Sequence, residues 1–163
     1  ETALKVNGKP YNSFEHHVTV TASESTNFTV EDIVFVGYGI DAENYSDYKT
    51  IDVTGKLVMA RAGEPMDADG NYVTSGTNED TKWSDGRQGL ASKSKAAQDH
   101  GAKGLLLIDN TLFARAAPYL KRQAESGATG RLSLNSNTPI LSLLLMAEKE
   151  STAAISVISS CLY

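Results

Sequence analysis

Four short stretches of the chain carry the hydrophobic patterns that predict β-strands. Residues 16–22 (HHVTVTA) alternate in polarity and favour β-branched side chains, as strands with one covered face do. Apolar runs within residues 31–38 (EDIVFVGY) and 56–62 predict two further strands. The continuous run from Leu105 to Ile108 predicts a strand that is covered on both faces, as in a parallel sheet.

Residues 84–100 carry a helical pattern. Ser84 or Asp85 can cap the start of this helix, and Gly101 suits the left-handed position after its end. The residues that recur at helical spacing before that glycine are Leu90, Ser94 and Ala97. A face of such small residues lets a helix lie close against a sheet. The strands on either side complete a βαβ unit, which is expected to be right-handed.

Turn-forming residues dominate two connections. Residues 63–82 are rich in Gly, Pro, Asp, Asn, Ser and Thr, and Asp69-Gly70 predicts a tight turn within a hairpin or a long excursion. The polar and aromatic segment AENYSDY, residues 42–48, is predicted as a loop or one short helical turn.

The last third of the chain predicts four more elements. Residues 111–126 predict a second helix, which Pro118 should break or restart. Residues 139–143 and 154–159 predict late strands, and a short helix is expected near residues 144–150.

Length and composition predict one globular domain over residues 1–163, with 40% hydrophobic and 21% charged residues. The longest apolar run is far too short to cross a bilayer, so no membrane span is predicted. Because the chain begins at Glu1 without a methionine or a leader, we expect a processed product or a piece of a longer chain. Cys161 is the only cysteine, which excludes an internal disulfide and a zinc site built on thiolates.

The formal net charge is −5, which argues against nucleic acid as the main partner. Basic residues are concentrated in the second half of the chain, and we expect them on a solvated helix face. This expectation concerns the local excess around Lys82, Arg87, Lys93, Lys95 and Lys103.

One motif imitates a dinucleotide fingerprint. Gly37, Gly39 and Ala42 follow a predicted strand with the G-x-G-x-x-A spacing, and Glu64 ends the next strand about 20 residues on. The acidic residues that would surround a pyrophosphate there are Asp41, Glu43 and Asp47. The following connection is also too short for a crossover helix. We therefore expect a strand followed by a turn that glycine permits.

No catalytic or metal-binding residue is predicted. Asp67, Asp69 and Asn71 resemble the opening of a calcium loop, but the glycine and glutamate of an EF-hand are missing, so a hairpin turn is expected and a weak surface calcium site stays open as the alternative. His16 and His17 are adjacent and would point to opposite faces of a strand.

Two segments together resemble the protease-associated domain found inserted in zinc aminopeptidases. They are IVFVGYGIDAENYSDYKTIDVTGKLVMARAGEP and KWSDGRQGLASKSKAAQDHGAKGLLLID. The relatives include bacterial aminopeptidases, glutamate carboxypeptidase and the apical domain of the transferrin receptor. The resemblance implies an α/β fold with a mixed open-barrel or sandwich sheet and flanking helices.

The resemblance also implies a function without catalysis. Such a domain lies over or beside the peptidase active site, where it shapes substrate access or mediates peptide and protein interactions. The H-x-D and Glu-Glu signatures of the two-zinc peptidase are absent from this sequence, so no cofactor is expected here and zinc is expected in a peptidase domain of the same parent chain. A secreted, periplasmic or cell-surface location is implied.

Two other functions remain open, namely a free-standing module that binds proteins or peptides and a nucleotide-binding fragment. For a binding role, polar loops held by a scaffold are the first candidates. The predicted contact surface consists of Tyr38, Asp41, Tyr45, Asp67, Asp69, Tyr72 and Trp83. For Trp83 the competing interpretation is a ring that covers the start of the helix.

Overall fold

The computed structural model describes residues 4–6, 8–19, 30–84, 86–126 and 140–145. Within them the chain forms seven strands and two helices. In chain order these are β1 (Leu4–Val6), β2 (Lys9–Tyr11), β3 (His17–Thr19), β4 (Ile33–Phe35), β5 (Leu57–Arg61), α1 (Gly86–Asp99), β6 (Gly104–Ile108), α2 (Asn110–Glu125) and β7 (Leu141–Leu145).

Five strands form one mixed sheet in the order β3-β7-β6-β5-β4. Strands β4 to β7 run parallel, whereas β3 pairs antiparallel with β7. Strands β1 and β2 form a separate antiparallel pair. The predicted α/β class is confirmed, with two helices flanking a mixed sheet. Because four strands are parallel, their carboxyl ends lie at one edge of the sheet, which we call the carboxyl edge.

The two faces of the sheet belong to different apolar clusters. The main core joins alternate strand residues, such as Val58 and Leu105, to the buried faces of both helices. The second cluster lies on the opposite face and consists of Leu57, Met59, Leu106 and Leu143 with partly buried neighbours. The central strands are therefore apolar on both faces, as the run Leu105 to Ile108 predicts.

Most of the central elements agree with the sequence pattern. The strands within 31–38, 56–62 and 105–108 are present as β4, β5 and β6, and β3 lies within the predicted strand at 16–22. Helix α1 occupies most of residues 84–100 and is followed by Gly101 with a φ of 81°, the left-handed conformation that glycine adopts without steric cost.

Two predictions in the last third are wrong. Helix α2 continues through Pro118. Proline has no N–H group, so Pro118 leaves one carbonyl oxygen of the preceding helical turn without a partner. Because Pro118 is exposed, this oxygen faces solvent, where water can satisfy it. Leu144 and Leu145, predicted to begin a helix, belong to β7 because that strand pairs with both β6 and β3.

The rest of the helix predicted near 144–150 and the strand at 154–159 lie outside the described residues. No sequence pattern pointed to β1 and β2. Among the helices of the described chain, none combines the length and apolarity that a bilayer crossing requires.

Candidate functional site

The turn that follows β4 forms one side of the carboxyl edge. Gly37 and Gly39 both adopt positive φ, 66° and 67°, and the chain then folds back with a bridge between Asp41 and Ser46. A β-carbon on Gly39 would lie 2.9 Å from the side chain of Ala60, so glycine is required for close packing against β5. The predicted strand and glycine turn are present.

Geometry at this turn differs from a dinucleotide site. In the fingerprint a helix begins at the glycine-rich turn, whereas residues 40–56 of this chain form turns and bends. Glu64, which would bind the ribose, instead has its carboxylate occupied by hydroxyl groups of the chain itself.

Asp47 holds this turn together from inside. Its carboxylate accepts hydrogen bonds from the backbone N–H of Ile40 at 3.0 Å and from the hydroxyl of Tyr45 at 2.7 Å. Burial, and then the Asp47 carboxylate, raise the pKa of Tyr45 to about 12. The Tyr45 hydroxyl therefore stays protonated and keeps donating to Asp47 at physiological pH.

Lys93 of α1 lies buried beneath the turn, with 1% of its surface exposed. Its ammonium nitrogen Nζ donates to the carbonyl oxygens of Tyr38 at 2.5 Å and Gly63 at 2.8 Å, and lies 3.4 Å from that of Arg61. One cation thus joins the backbone after β4 to the backbone after β5. Such pairing offsets part of the cost of burying a charge.

Burial lowers the pKa of Lys93 to about 8, although the charges of Asp47, Glu64 and Asp109 act in the opposite direction. The prediction that Lys93 belongs to a solvated helix face is wrong. Lys93 lies three residues after Leu90 and four before Ala97, so it shares their buried stripe. That spacing indicates a buried position, but a charged residue is ordinarily expected at the surface.

Half-buried Tyr38 and exposed Arg61 form the solvent-facing part of the same site. The Arg61 guanidinium donates a hydrogen bond to the Tyr38 hydroxyl and lies over the ring, 4.3 Å from its centroid. Nothing in the local sequence pairs them, because they are brought together by β4–β5 pairing. We call Tyr38, Tyr45, Asp47, Arg61 and Lys93 the carboxyl-edge cluster.

Residues 64–84, which we call the excursion, leave the carboxyl edge directly after β5 and return at the start of α1. Glu64 is only 6% exposed, and its carboxylate accepts hydrogen bonds from the hydroxyls of Thr74, Thr81 and Ser84. Burial by itself raises the pKa of Glu64, but these three donors and the Lys93 charge outweigh it and hold the pKa below its ordinary value. The excursion is thereby fastened to the sheet at its base.

The tip of the excursion is a tight turn, as Asp69-Gly70 predicts. Met66 and Tyr72 face each other in an antiparallel bridge. Oδ1 of Asp67 accepts the backbone N–H groups of Asp69 at 3.0 Å and Asn71 at 2.9 Å, which is the geometry of a turn stabilised by its own carboxylate. Asp69 itself is exposed.

A contact that sequence reasoning missed links the turn after β4 to the end of α1. Nε2 of His100 lies 2.8 Å from Oδ2 of Asp41, and the imidazole stacks on Tyr48 with ring centroids 4.4 Å apart. The hydrogen bond to His100 is the main reason why the pKa of Asp41 lies below its ordinary value. These residues are 59 positions apart in sequence.

The seven predicted contact residues are therefore distributed over two loops and the core. Tyr38, Asp41 and Tyr45 share the turn after β4. Asp67, Asp69 and Tyr72 lie on the excursion, where the Tyr72 hydroxyl donates to Asp80 at 3.0 Å. Trp83 is 5% exposed and belongs to the main core, and its backbone carbonyl oxygen lies close to Gly89 of α1.

Chemically, this arrangement favours presentation of loops. Lys93, Glu64 and Asp47 each bind groups of the chain itself, and the groups nearest to solvent are a half-buried tyrosine, an exposed arginine and the polar excursion. Over the part of the chain that the structure describes, His, Cys, Asp and Glu residues form no group of three that could hold a metal ion. The sequence matches no protein-family model, no curated protein and no solved structure.

Proposed function

We propose that this chain is a non-catalytic accessory domain of a zinc aminopeptidase, where it shapes substrate access or mediates peptide and protein interactions. The observation that carries the proposal is that buried charged side chains at the carboxyl edge are committed to holding two loops in place. Lys93 fastens the turn after β4, and Glu64 fastens the excursion. Loops held stiffly on a sheet suit recognition, because little conformational entropy is lost when they bind.

The resemblance to protease-associated domains supplies the rest of the proposal. The peptidase domain of the same parent chain would hold the zinc ions, and a peptide or protein substrate would be the partner. A secreted, periplasmic or cell-surface location belongs to the same proposal. The exposed tip of the excursion is the part that would face a substrate.

The first test is the natural reading frame on both sides of these residues. We expect H-x-D and Glu-Glu signatures in the flanking sequence. Their absence would overturn the peptidase assignment and favour the free-standing binding module. Zinc-dependent hydrolysis of aminoacyl substrates by the 163-residue chain itself would overturn the non-catalytic assignment.

The second test uses the full peptidase with residues 66–72 replaced by a short Gly-Ser turn. We expect kcat/KM for longer peptides to change by about fivefold or more, and kcat/KM for a single-residue nitroanilide to stay within about twofold. Tyr119→Ala is the matched control, since Tyr119 is exposed and belongs to α2, not to the excursion. Equal changes for both substrates would contradict a role in substrate access.

A further inference from the structure

Strand β4 forms one edge of the five-stranded sheet. The carbonyl of Asp32 and the N–H of Val36 bond to β5. Because backbone groups of successive strand residues point to opposite sides, the N–H and C=O groups of Ile33 and Phe35 point away from the sheet. Among the described residues, none pairs with this outer side of β4.

Apolar side chains flank this open edge. Phe35 is 44% exposed, although it continues the apolar strand, and it is one of four large hydrophobic residues exposed in the described chain. Ile33 lies on the same side of the strand and packs against the second apolar cluster. An added strand could therefore cover Phe35 and extend that cluster.

Acidic side chains lie where β4 begins. Glu31 and Asp32 are both exposed and directly precede Ile33. No basic residue occurs between Glu31 and Tyr48. Within the described residues, the edge thus combines outward backbone groups that no strand pairs with, an exposed aromatic ring and two acidic side chains.

We propose that the outer edge of β4 binds an extended peptide segment in which alternating apolar residues adjoin a lysine or arginine. Main-chain hydrogen bonds to Ile33 and Phe35 would add the segment as a sixth strand, Phe35 would contact its apolar side chains, and Glu31 and Asp32 would attract its basic residue. The inference rests on the proposed function and specifies the chemistry of the peptide partner.

Charge favours such a peptide over a second copy of this chain. A second β4 would bring another pair of acidic residues and no basic residue to the edge. It would also supply only three strand residues. An unprotected strand edge otherwise invites self-association, so charge at the edge also limits pairing between copies.

The test is an NMR titration of the 15N-labelled chain with the peptide acetyl-Lys-Val-Thr-Val-Lys-amide. We expect chemical-shift changes centred on residues 31–36. Two matched peptides serve as controls: one has the valine amides N-methylated, which removes main-chain donors but keeps the side chains, and one has glutamate in place of lysine. We expect both to bind about tenfold more weakly or worse.

Two variants separate backbone from side-chain recognition. Phe35→Pro removes an outward N–H that takes no part in β4–β5 pairing, and Phe35→Thr removes only the ring. We expect Phe35→Pro to abolish binding and Phe35→Thr to weaken it about threefold to tenfold. Unchanged β5 amide signals verify that the sheet is intact, and Tyr119→Thr, which exchanges an exposed residue of α2, should bind as the unmodified chain does.

Three results would overturn the inference: shift changes away from β4, equal binding of the N-methylated peptide, or concentration-dependent dimerisation through β4. Its failure is distinguishable from failure of the proposed function. Peptide binding at β4 without peptidase signatures in the flanking sequence would leave a free-standing module. Peptidase signatures without binding would overturn the β4 inference alone.

Discussion

Lys93 is buried, and backbone carbonyl groups replace water around its ammonium group. This burial makes the free energy of unfolding depend on pH. The pKa of Lys93 is about 8, against an ordinary value of 10.5. Between these values the unfolded chain binds more protons than the folded chain, so the free energy of unfolding rises with pH. We expect a rise of up to about 3 kcal/mol from pH 8 towards pH 10.5 in urea unfolding.

Lys93→Met should remove this rise, and it should also destabilise the chain by about 1–3 kcal/mol at pH 7 because the carbonyl oxygens lose their donor. Lys95→Met is the control, since Lys95 is exposed on the same helix, and it should keep the rise. The rise ends near pH 10, the ordinary pKa of tyrosine. Above that pH the raised pKa of Tyr45, about 12, makes the free energy of unfolding fall as the pH increases. An identical pH slope in Lys93→Met would contradict the assignment.

Gly39 is required for two separable reasons, its positive φ and its contact with Ala60. Gly63 has a similar φ of 80° but open space around it. We expect Gly39→Ala to lower the free energy of unfolding by about 2–4 kcal/mol, and Gly63→Ala by only about 1 kcal/mol. Urea unfolding measures both values.

The clash at Gly39 can be tested on its own. In an Ala60→Gly background the contacting methyl group is absent, so the additional cost of Gly39→Ala should shrink towards that of Gly63→Ala. A full cost in that background would mean that backbone strain, and not the contact with β5, explains the glycine.

At the scale of elements, the excursion depends on one carboxylate. Glu64→Gln keeps the shape of the side chain but leaves one acceptor oxygen for three hydroxyl donors, which are Thr74, Thr81 and Ser84. We expect a loss of about 1–3 kcal/mol in the free energy of unfolding and faster hydrogen exchange and proteolysis confined to residues 65–83.

Glu79→Gln provides the comparison on the same excursion, because Glu79 is exposed and its side chain is not among the anchors of the base. It should leave exchange and proteolysis unchanged. If both variants loosen the excursion equally, net charge and not the Glu64 anchor governs its order.

At the scale of the whole molecule, local sequence patterns predict the central helices and strands, and they fail where contacts between distant residues determine the structure. The spacing of Leu90, Ser94 and Ala97 is a property of α1 alone, so the helix could be predicted. Residues 144–145 have no such local signal, because an apolar run is compatible with either a helix or a strand. They form a strand because β7 pairs with two neighbouring strands.

The candidate site was harder to predict for the same reason. The partners of Lys93 and Glu64 lie 10 to 55 residues away in sequence, and the Arg61–Tyr38 pair exists only once β4 and β5 are adjacent. Polar loop composition could indicate Tyr38, Asp41 and Tyr45. It could not indicate that a buried lysine supports them.

The carboxylates of Asp41 and Glu64 hold loops in place, and they predict how the stability of the whole molecule changes in acid. The pKa values of Asp41 and Glu64 lie below their ordinary values, Asp41 mainly through its hydrogen bond to His100 and Glu64 through hydroxyl donors that outweigh burial. Their stabilising contributions are present above the ordinary carboxyl range and are lost as the pH falls through the lowered values. The free energy of unfolding should therefore fall steadily from pH 5 towards pH 2.

An Asp41→Asn/Glu64→Gln double variant tests this account, because neither amide titrates. We expect it to be less stable at pH 7 and to show a flatter acid profile, with the free energies of unfolding of the two chains converging as the pH falls through the lowered pKa values of Asp41 and Glu64. Glu43→Gln, which changes an exposed acidic residue of the same turn, should retain the steep profile. Parallel profiles for the double variant and the unmodified chain would mean that acid acts through net charge, and not through the carboxylates of Asp41 and Glu64.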